Sequence, residues 1–390
     1  MANILFEYIA TEALDNIAAF LYGEFDEVVY FFLPSEPENP TRDEALERFV
    51  TERLGMGMRF FRIPENTADA VLWSFHRVMS EYRAEDHFTV ETTGGAELFL
   101  VAGGMLLSEE RERVSFCNYA FATGNPSEPR YLLSMDEIIE LQGCQTVNVC
   151  DGVPIDYTDG NFRTEILRLW TAVKDISADW NRFASLTALD EPDEPFTHGK
   201  TFSGEQDRIS CKRIVDKLVK NQIVLDYQLD KSGVNRYILQ YAYTDSVRTE
   251  LLYEKSGTVL EMFACLAAAE CGLFRDCRSS VSVDADGVIT GDRNETRNEI
   301  DVTMMFGQRP VFVSCKNTRA TKEFIYEIMV MARHYGGRYA IPVLISTAES
   351  FPAVAERASE MGVVLIEQVA GQTLRELKET FVRVFSELAG

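Results

Sequence analysis

Lysine is missing from the first 173 residues of this 390-residue chain. Any anion bound there must be met by backbone N–H groups, hydroxyls or arginine. No run of about 18 apolar residues occurs, and no basic segment precedes the apolar N-terminal stretch, so neither a membrane span nor a signal peptide is expected. The expected location is the cytoplasm. The eight cysteines include no C-x-x-C pair, and the spacing of Cys265, Cys271 and Cys277 suits neither a zinc site nor a disulfide framework, which leaves reduced core residues.

Acid, by contrast, is plentiful and unevenly placed. The net charge is −24, yet residues 1–199 carry 14 basic and 36 acidic side chains whereas residues 200–340 carry 20 and 19. An acidic protein is a poor partner for nucleic acid, because phosphate binding draws on Lys and Arg. Here the acid lies in the front half, which suggests separate tasks for the two halves, although a solvated acidic surface can serve solubility alone. The length allows two or three domains, each with its own core.

The back half holds the most chemical signal. Residues 299–306 and 311–316 are rich in Val, Ile, Phe and Met and flank Gly307-Gln308-Arg309-Pro310, so they read as a hairpin. A turn centred on Gln308 and Arg309 would set Asp301 opposite Lys316 and Thr303 opposite Ser314. Alternation then puts Glu299, Asp301, Ser314 and Lys316 on one face, with Ile300, Val302 and Val313 on the other. Upstream, residues 256–270 read as a helix whose apolar face of Leu260, Phe263, Ala264, Ala267 and Ala268 is interrupted by Glu261. One reading of Asp301 and Lys316 is a cross-strand salt bridge.

The other reading is a reaction site. An acid on a helix, an Asp on a strand and x-x-Lys on the next strand resembles the PD-(D/E)xK nuclease fold. The resemblance implies Mn²⁺ or Mg²⁺ held at Asp301, Glu261 and Cys315, with Lys316 stabilising negative charge as it develops on the phosphate. Ser314 departs from the pattern, which has an acid two residues before the Lys. Glu299, or Glu323 and Glu327 on the following helix, would supply the displaced carboxylate. The candidate catalytic set is therefore Glu261, Glu299, Asp301, Ser314 and Lys316.

The front half begins strand, helix, strand: residues 3–9, 12–22 and 27–32. Helices at 44–54 and 68–82 and strands at 58–63 and 88–91 follow, which implies a doubly wound parallel α/β sheet that binds ligands at the carboxyl ends of its strands. At one such end Thr92-Thr93-Gly94-Gly95-Ala96 opens a helix over 96–107, offering backbone N–H groups and hydroxyls to phosphate. A tight connection with no ligand is the plain alternative. A Rossmann-like domain with a strand-1 loop at Ala10-Thr11-Glu12 and a later T-G-G turn resembles the CARF domain, the sensor of cyclic oligoadenylates in type III CRISPR defence. Ala96 and Glu97 stand where that family usually has a polar or basic pair. The resemblance makes Thr11, Thr92, Thr93, Gly94, Gly95 and Ala96 the expected ligand contacts.

Between the two lie further strands within 114–149 (VSFCNYAF, RYLLS), a polar linker at 151–159, an amphipathic helix over 164–189 and an acidic Pro-containing loop at 191–199. The aromatic stripe of that helix reads as core or dimer surface. A basic helix over 209–221, bearing Lys212, Arg213, Lys217 and Lys220, precedes two strands around Lys231-Ser232-Gly233 and resembles a winged helix. The expected division is 1–150 sensor, 151–205 linker and long helix, 206–250 winged-helix-like segment and 251–390 nuclease-like domain. A CARF-like front and a PD-(D/E)xK-like back resemble the CRISPR ancillary nucleases. That resemblance implies a homodimer, activated by a cyclic oligoadenylate (cyclic tetra-adenylate favoured), that degrades or nicks DNA, RNA or both without a membrane partner. A constitutive restriction or repair endonuclease, a catalytically silent nucleotide sensor and a nucleotide-dependent transcription regulator are the alternatives.

Overall fold

The computed structural model describes residues 1–34, 40–119, 128–147, 156–244, 257–285 and 297–389. Five parallel strands form the front sheet: β1 (Asn3–Tyr8), β2 (Glu27–Phe32), β3 (Gly57–Arg62), β4 (His87–Glu91) and β5 (Val114–Cys117), in the order β3-β2-β1-β4-β5. Their connections carry α1 (Ala18–Tyr22), α2 (Pro40–Arg48), α3 (Ala68–Met79) and α4 (Glu97–Glu109). The apolar runs of β1 and β2 are buried almost throughout, as parallel strands covered on both faces must be. The doubly wound order places the ends of β1 and β4 side by side.

A middle section follows. It contains α5 (Met135–Leu141), β6 (Gln145–Val147), α6 (Gly160–Val173), α7 (Ser177–Ala184), β7 (Thr187–Ala188), β8 (His198–Ser203), α8 (Glu205–Lys220), β9 (Val224–Gly233) and β10 (Arg236–Tyr243). β7 to β10, excluding β6, make an antiparallel sheet in the order β7-β8-β10-β9. The back half comprises α9 (Thr258–Glu270), β11 (Arg275–Asp284), β12 (Arg297–Phe306), β13 (Arg309–Arg319), α10 (Lys322–Gly336), β14 (Ile341–Ala348), α11 (Pro352–Glu360), β15 (Val364–Ile366) and α12 (Leu374–Ala389). Its sheet runs β15-β14-β13-β12-β11-β6. β6 therefore leaves the front half in sequence yet closes the edge of the back sheet, through Ser282↔Val147 and Asp284↔Gln145.

Packing joins the halves. One buried cluster combines Leu14, Ile17, Val28 and Tyr30 beneath the front sheet and Ile138 of α5 with Phe312, Ile325, Ile328 and Leu344 of the back half. A second fills the outer face of the front sheet with Phe6, Phe31, Phe75, Phe88 and Phe99. The third lies on the far side of the back sheet, where Trp170 of α6 stacks on Phe263 of α9 with ring centroids 4.4 Å apart. The aromatic stripe of α6 is core.

Four expectations change. The long helix over 164–189 is interrupted at Lys174–Ile176, and the bend turns α7 onto α8, where Ser210 and Arg213 both reach Asp179 (2.8 and 2.7 Å). RYLLS forms no strand; it leads into α5, whose N-terminus is closed by a reciprocal Ser134–Glu137 capping box. The β9–β10 turn falls at Val234–Asn235, where Asn235 adopts φ 56°, beyond Lys231-Ser232-Gly233. Finally, the β12–β13 turn centres on Gly307 and Gln308, since Phe306 pairs with Arg309 and Val302 with Val313. Gly307 has φ 59°, the left-handed geometry required at the first central position of a tight hairpin. The tail of VSFCNYAF, residues 151–155 of the expected linker and residues 245–250 of the winged-helix-like segment lie outside the described residues.

The Trp170–Phe263 stack carries a direct expectation. Trp170→Ala should lower stability by about 3–5 kcal/mol through the cavity it leaves. Chemical denaturation of both proteins measures the difference.

Candidate functional site: a carboxylate cluster and a cavity between the halves

The register of β12 against β13 differs from the expected one by two residues, an even number, so the facing of the side chains survives. What changes is the partner of Asp301. Its Oδ2 accepts the backbone N–H of Cys315 at 2.6 Å and the hydroxyl of Ser314 at 3.3 Å. On the other side, Ser279↔Val302 and Val281↔Ile300 bring Ser280 opposite Asp301. Ser280 has φ 52°, and its hydroxyl donates to Glu261 Oε2 at 3.3 Å. Glu261, on α9, is 8% exposed. Glu261 and the Ser280 bonded to it thus stand beside the strand position of Asp301.

Electrostatics record their proximity. Burial, then the charges of Asp301 and Glu299, push the Glu261 carboxyl up to about 8, while Ser280 and Lys316 pull it back. Burial also raises Asp301, against the Cys315 N–H, the Lys316 charge and Ser314. Of the acids expected to replace the one missing at Ser314, Glu299 acts on both carboxyls. Glu323 is exposed in the first turn of α10 and engaged with the cap residue Thr321. Lys316 places its ammonium 5.0 Å from the centre of the Phe324 ring. Among the described residues no ion pair joins it to Asp301.

These groups fit a hard divalent cation in a particular way. Among the described residues no set of three or more His, Cys, Asp or Glu stands close enough to hold a metal ion. Two carboxylates do converge, and magnesium-type ions use one or two carboxylates and complete their shell with water and phosphate oxygens. Burial raises the Cys315 thiol, and the neighbouring Asp301 and Glu261 charges raise it further. A protonated sulfur is a poor ligand for Mg²⁺ or Mn²⁺.

The front turn is organised from behind. Glu91 accepts the Thr93 N–H at 2.8 Å and also the Thr93 hydroxyl. The Thr92 hydroxyl donates to the Cys117 carbonyl at 2.9 Å, and the Tyr119 N–H reaches Thr93 Oγ1 at 2.9 Å. These bonds hold the loop. Gly94 is packed so closely that a Cβ there would lie 2.5 Å from the Cβ of Asp15. A cavity of about 550 Å³ opens beside it, within the range of small-molecule sites. Thr11, Gly94 and Ala96 line it, but Thr92, Thr93 and Gly95 do not.

The far wall of the cavity comes from the back half, as Arg333, Gly337 and Arg338. Arg338 donates its backbone N–H to Glu12 at 2.7 Å and its guanidinium to Asp15 at 2.8 Å, and the Tyr339 hydroxyl donates to Asp15 at 2.7 Å. These residues lie more than 320 positions apart in the chain. The one hint in the sequence was negative, the absence of lysine from the first 173 residues.

The molecule is therefore a mixed α/β protein in which a parallel, doubly wound sheet and a second, mostly antiparallel sheet share a core. Two solved structures have this fold over essentially the whole chain. Protein VC1899 from Vibrio cholerae matches with a TM-score of 0.70 and 12% identity, covering 100% of this chain and 99% of its own. Can2 from Sulfobacillus thermosulfidooxidans, solved in complex with cyclic tetra-adenylate, matches with a TM-score of 0.65 and 12% identity, covering 98% of both chains. No protein-family model and no curated sequence relative matches the chain.

Behind the turn, Glu7 is fully buried, and burial followed by the Glu91 charge raises its carboxyl well above the usual 4.5; burial pushes Glu91 up to about 6. A carboxyl whose folded value is raised favours the fold at low pH and costs stability as the pH climbs above its unfolded value, by about 1.4 kcal/mol per unit until the folded value is passed. Glu7→Gln removes that cost. Its melting temperature should exceed that of the wild type at pH 8, with the gain shrinking towards pH 5; calorimetry at both pH values checks the sign.

Proposed function

We propose that the chain is a cyclic oligoadenylate-activated nuclease of type III CRISPR antiviral defence, with a CARF-like front half and a PD-(D/E)xK-like back half. The observation that carries the reading is the whole-length fold shared with a protein that binds cyclic tetra-adenylate, in a chain whose own cavity opens at the strand ends of a doubly wound sheet. The proposed division is 1–150 sensor, 151–205 linker, 206–250 winged-helix-like segment and 251–390 nuclease domain. Among the described residues no helix is long and apolar enough to cross a membrane, and we assign the protein to the cytoplasm.

In the back site, Asp301 and Glu261 would hold Mn²⁺ or Mg²⁺, with Glu299 adding negative charge at the mouth. The ion, when bound, supplies charge neutralisation at the phosphate and an acidified water. Asp301 is kept in position by the Cys315 N–H and Ser314. Lys316 stabilises the charge that builds on the phosphate oxygens. Cutting falls on phosphodiester bonds of DNA, RNA or both. The exposed apolar side chains of α4, Leu100, Val101 and Met105, favour a homodimer formed through the front half, as a symmetric ring ligand suits.

A single assay tests the reading. With Mn²⁺ and a labelled single strand, cyclic tetra-adenylate should raise the cutting rate at least tenfold, which requires a preference of the ring for the active arrangement of about 1.4 kcal/mol. Asp301→Ala and Lys316→Ala should each reduce cutting to background while ring affinity, measured by calorimetry, stays at the wild-type value. Cutting that ignores the ring would leave a constitutive endonuclease, and ring binding without cutting a silent sensor.

A further inference from the structure

A cyclic oligoadenylate carries one negative phosphate per nucleotide, and the front half offers it an acidic environment. Residues 1–199 hold 36 acidic and 14 basic side chains, and two acids, Glu12 and Asp15, line the cavity itself. The Thr92 and Thr93 donors are spent within the loop. Among the described residues two basic side chains line the cavity, and both belong to the back half.

The geometry points to Arg338 and Arg333 as the residues that grip the phosphates of the ring, so that the sensor site is completed by the nuclease half. Arg338 is built for this. Its Nη2 is anchored on Asp15, at 2.9 and 2.8 Å from the two carboxylate oxygens, and on the Tyr339 hydroxyl at 2.6 Å; Asp15 is buried, whereas the Arg338 side chain remains 49% exposed towards the cavity. A guanidinium has five N–H donors in a planar fork, and anchoring one edge leaves the other set for a phosphate. Asp15 and Tyr339 are positioning residues in this arrangement. Gly337 lets the backbone turn there with φ 69°, where a Cβ would collide with Glu12. Arg333, exposed one turn earlier on α10, has no carboxylate partner among the described residues.

The placement has a mechanical consequence. α10 runs from Lys322 to Gly336, a span of about 22 Å. Its last turn and exit carry Arg333 and Arg338, and its first turn carries Phe324, the ring beneath the Lys316 ammonium. One rigid helix thus touches the ring site at one end and the candidate metal site at the other. A ligand that binds Arg338 acts directly on the element that seats Lys316.

This inference rests on the ring-sensing reading, and its test separates the two. Calorimetric titration of the full-length protein with cyclic tetra-adenylate, at several salt concentrations, should show Arg338→Ala and Arg333→Ala each weakening binding at least tenfold with a shallower salt dependence, because each removes a charge contact to phosphate. Arg338→Lys should restore little, since a lone ammonium held by Asp15 has no second edge to present. Arg333 is exposed, so its variant answers the question even where Arg338→Ala is unstable. Hydrogen exchange should show ring-dependent protection along α10 in the wild type that is lost in Arg338→Ala. Wild-type binding with unchanged affinity in both alanine variants, or protection confined to the front half, would overturn the inference and leave ring sensing intact. A wild type that does not bind the ring would remove both.

Discussion

The buried carboxylate of Asp15 is the constraint on which the arrangement of the two halves depends. It sits at the end of the front sheet's first strand loop and takes its cation and its hydroxyl donor from Arg338 and Tyr339, beyond the end of α10. A buried carboxylate left without such partners would be strongly destabilising, by about 3–5 kcal/mol. Burial raises its carboxyl, against the pull of Tyr339 and Arg338. The contact therefore fixes the mutual position of two sheets that are far apart in sequence, and the shared apolar cluster packs around that position. Glu12, bonded to Gln142 and to the Arg338 backbone, extends the same junction by another step.

From that junction the back site follows by rigid elements. α10 lies against β13 and β14, so its C-terminal seat on the front half also sets where its N-terminal turn holds Phe324 and Lys316. On the other face lies α9, buried along most of its length, which places Glu261 in a largely buried layer. Burial first, and then the charges of Asp301 and Glu299, raise the Glu261 carboxyl, with Ser280 and Lys316 offsetting part of the rise. The acid of the chain is concentrated in its front half, and residues 200–340 are near neutral.

Much of this was legible in the residues. Continuous apolar runs at 3–8 and 27–32 can only be strands covered on both faces, and with the intervening helices they determined a parallel sheet. Glu261 in an apolar helix face and Asp301 in an apolar hairpin marked a polar site inside a core, because burying charge is too costly to occur without a partner. Face alternation in the hairpin is the same for either turn, since the two registers differ by an even number of residues. The exact pairing did not: Gln308-Arg309 and Gly307-Gln308 are both plausible turns by composition, and the left-handed backbone at Gly307 decided between them.

Tertiary structure alone decided the rest. The interruption after α6 arises because α7 packs on α8, a preference that no helical periodicity contains. The carboxylate of Glu91 and the Cys117 carbonyl take the Thr93 N–H and the Thr92 hydroxyl, partners that type and spacing do not reveal. Arg338 gave no local signal, since its meaning depends on Asp15, more than 320 residues away. Sequence by itself determined the layers and the buried acids, because these follow from periodicity and the cost of desolvation, both local properties. Which charges meet across the halves was decided only by the fold, because pairing is a property of three-dimensional distance.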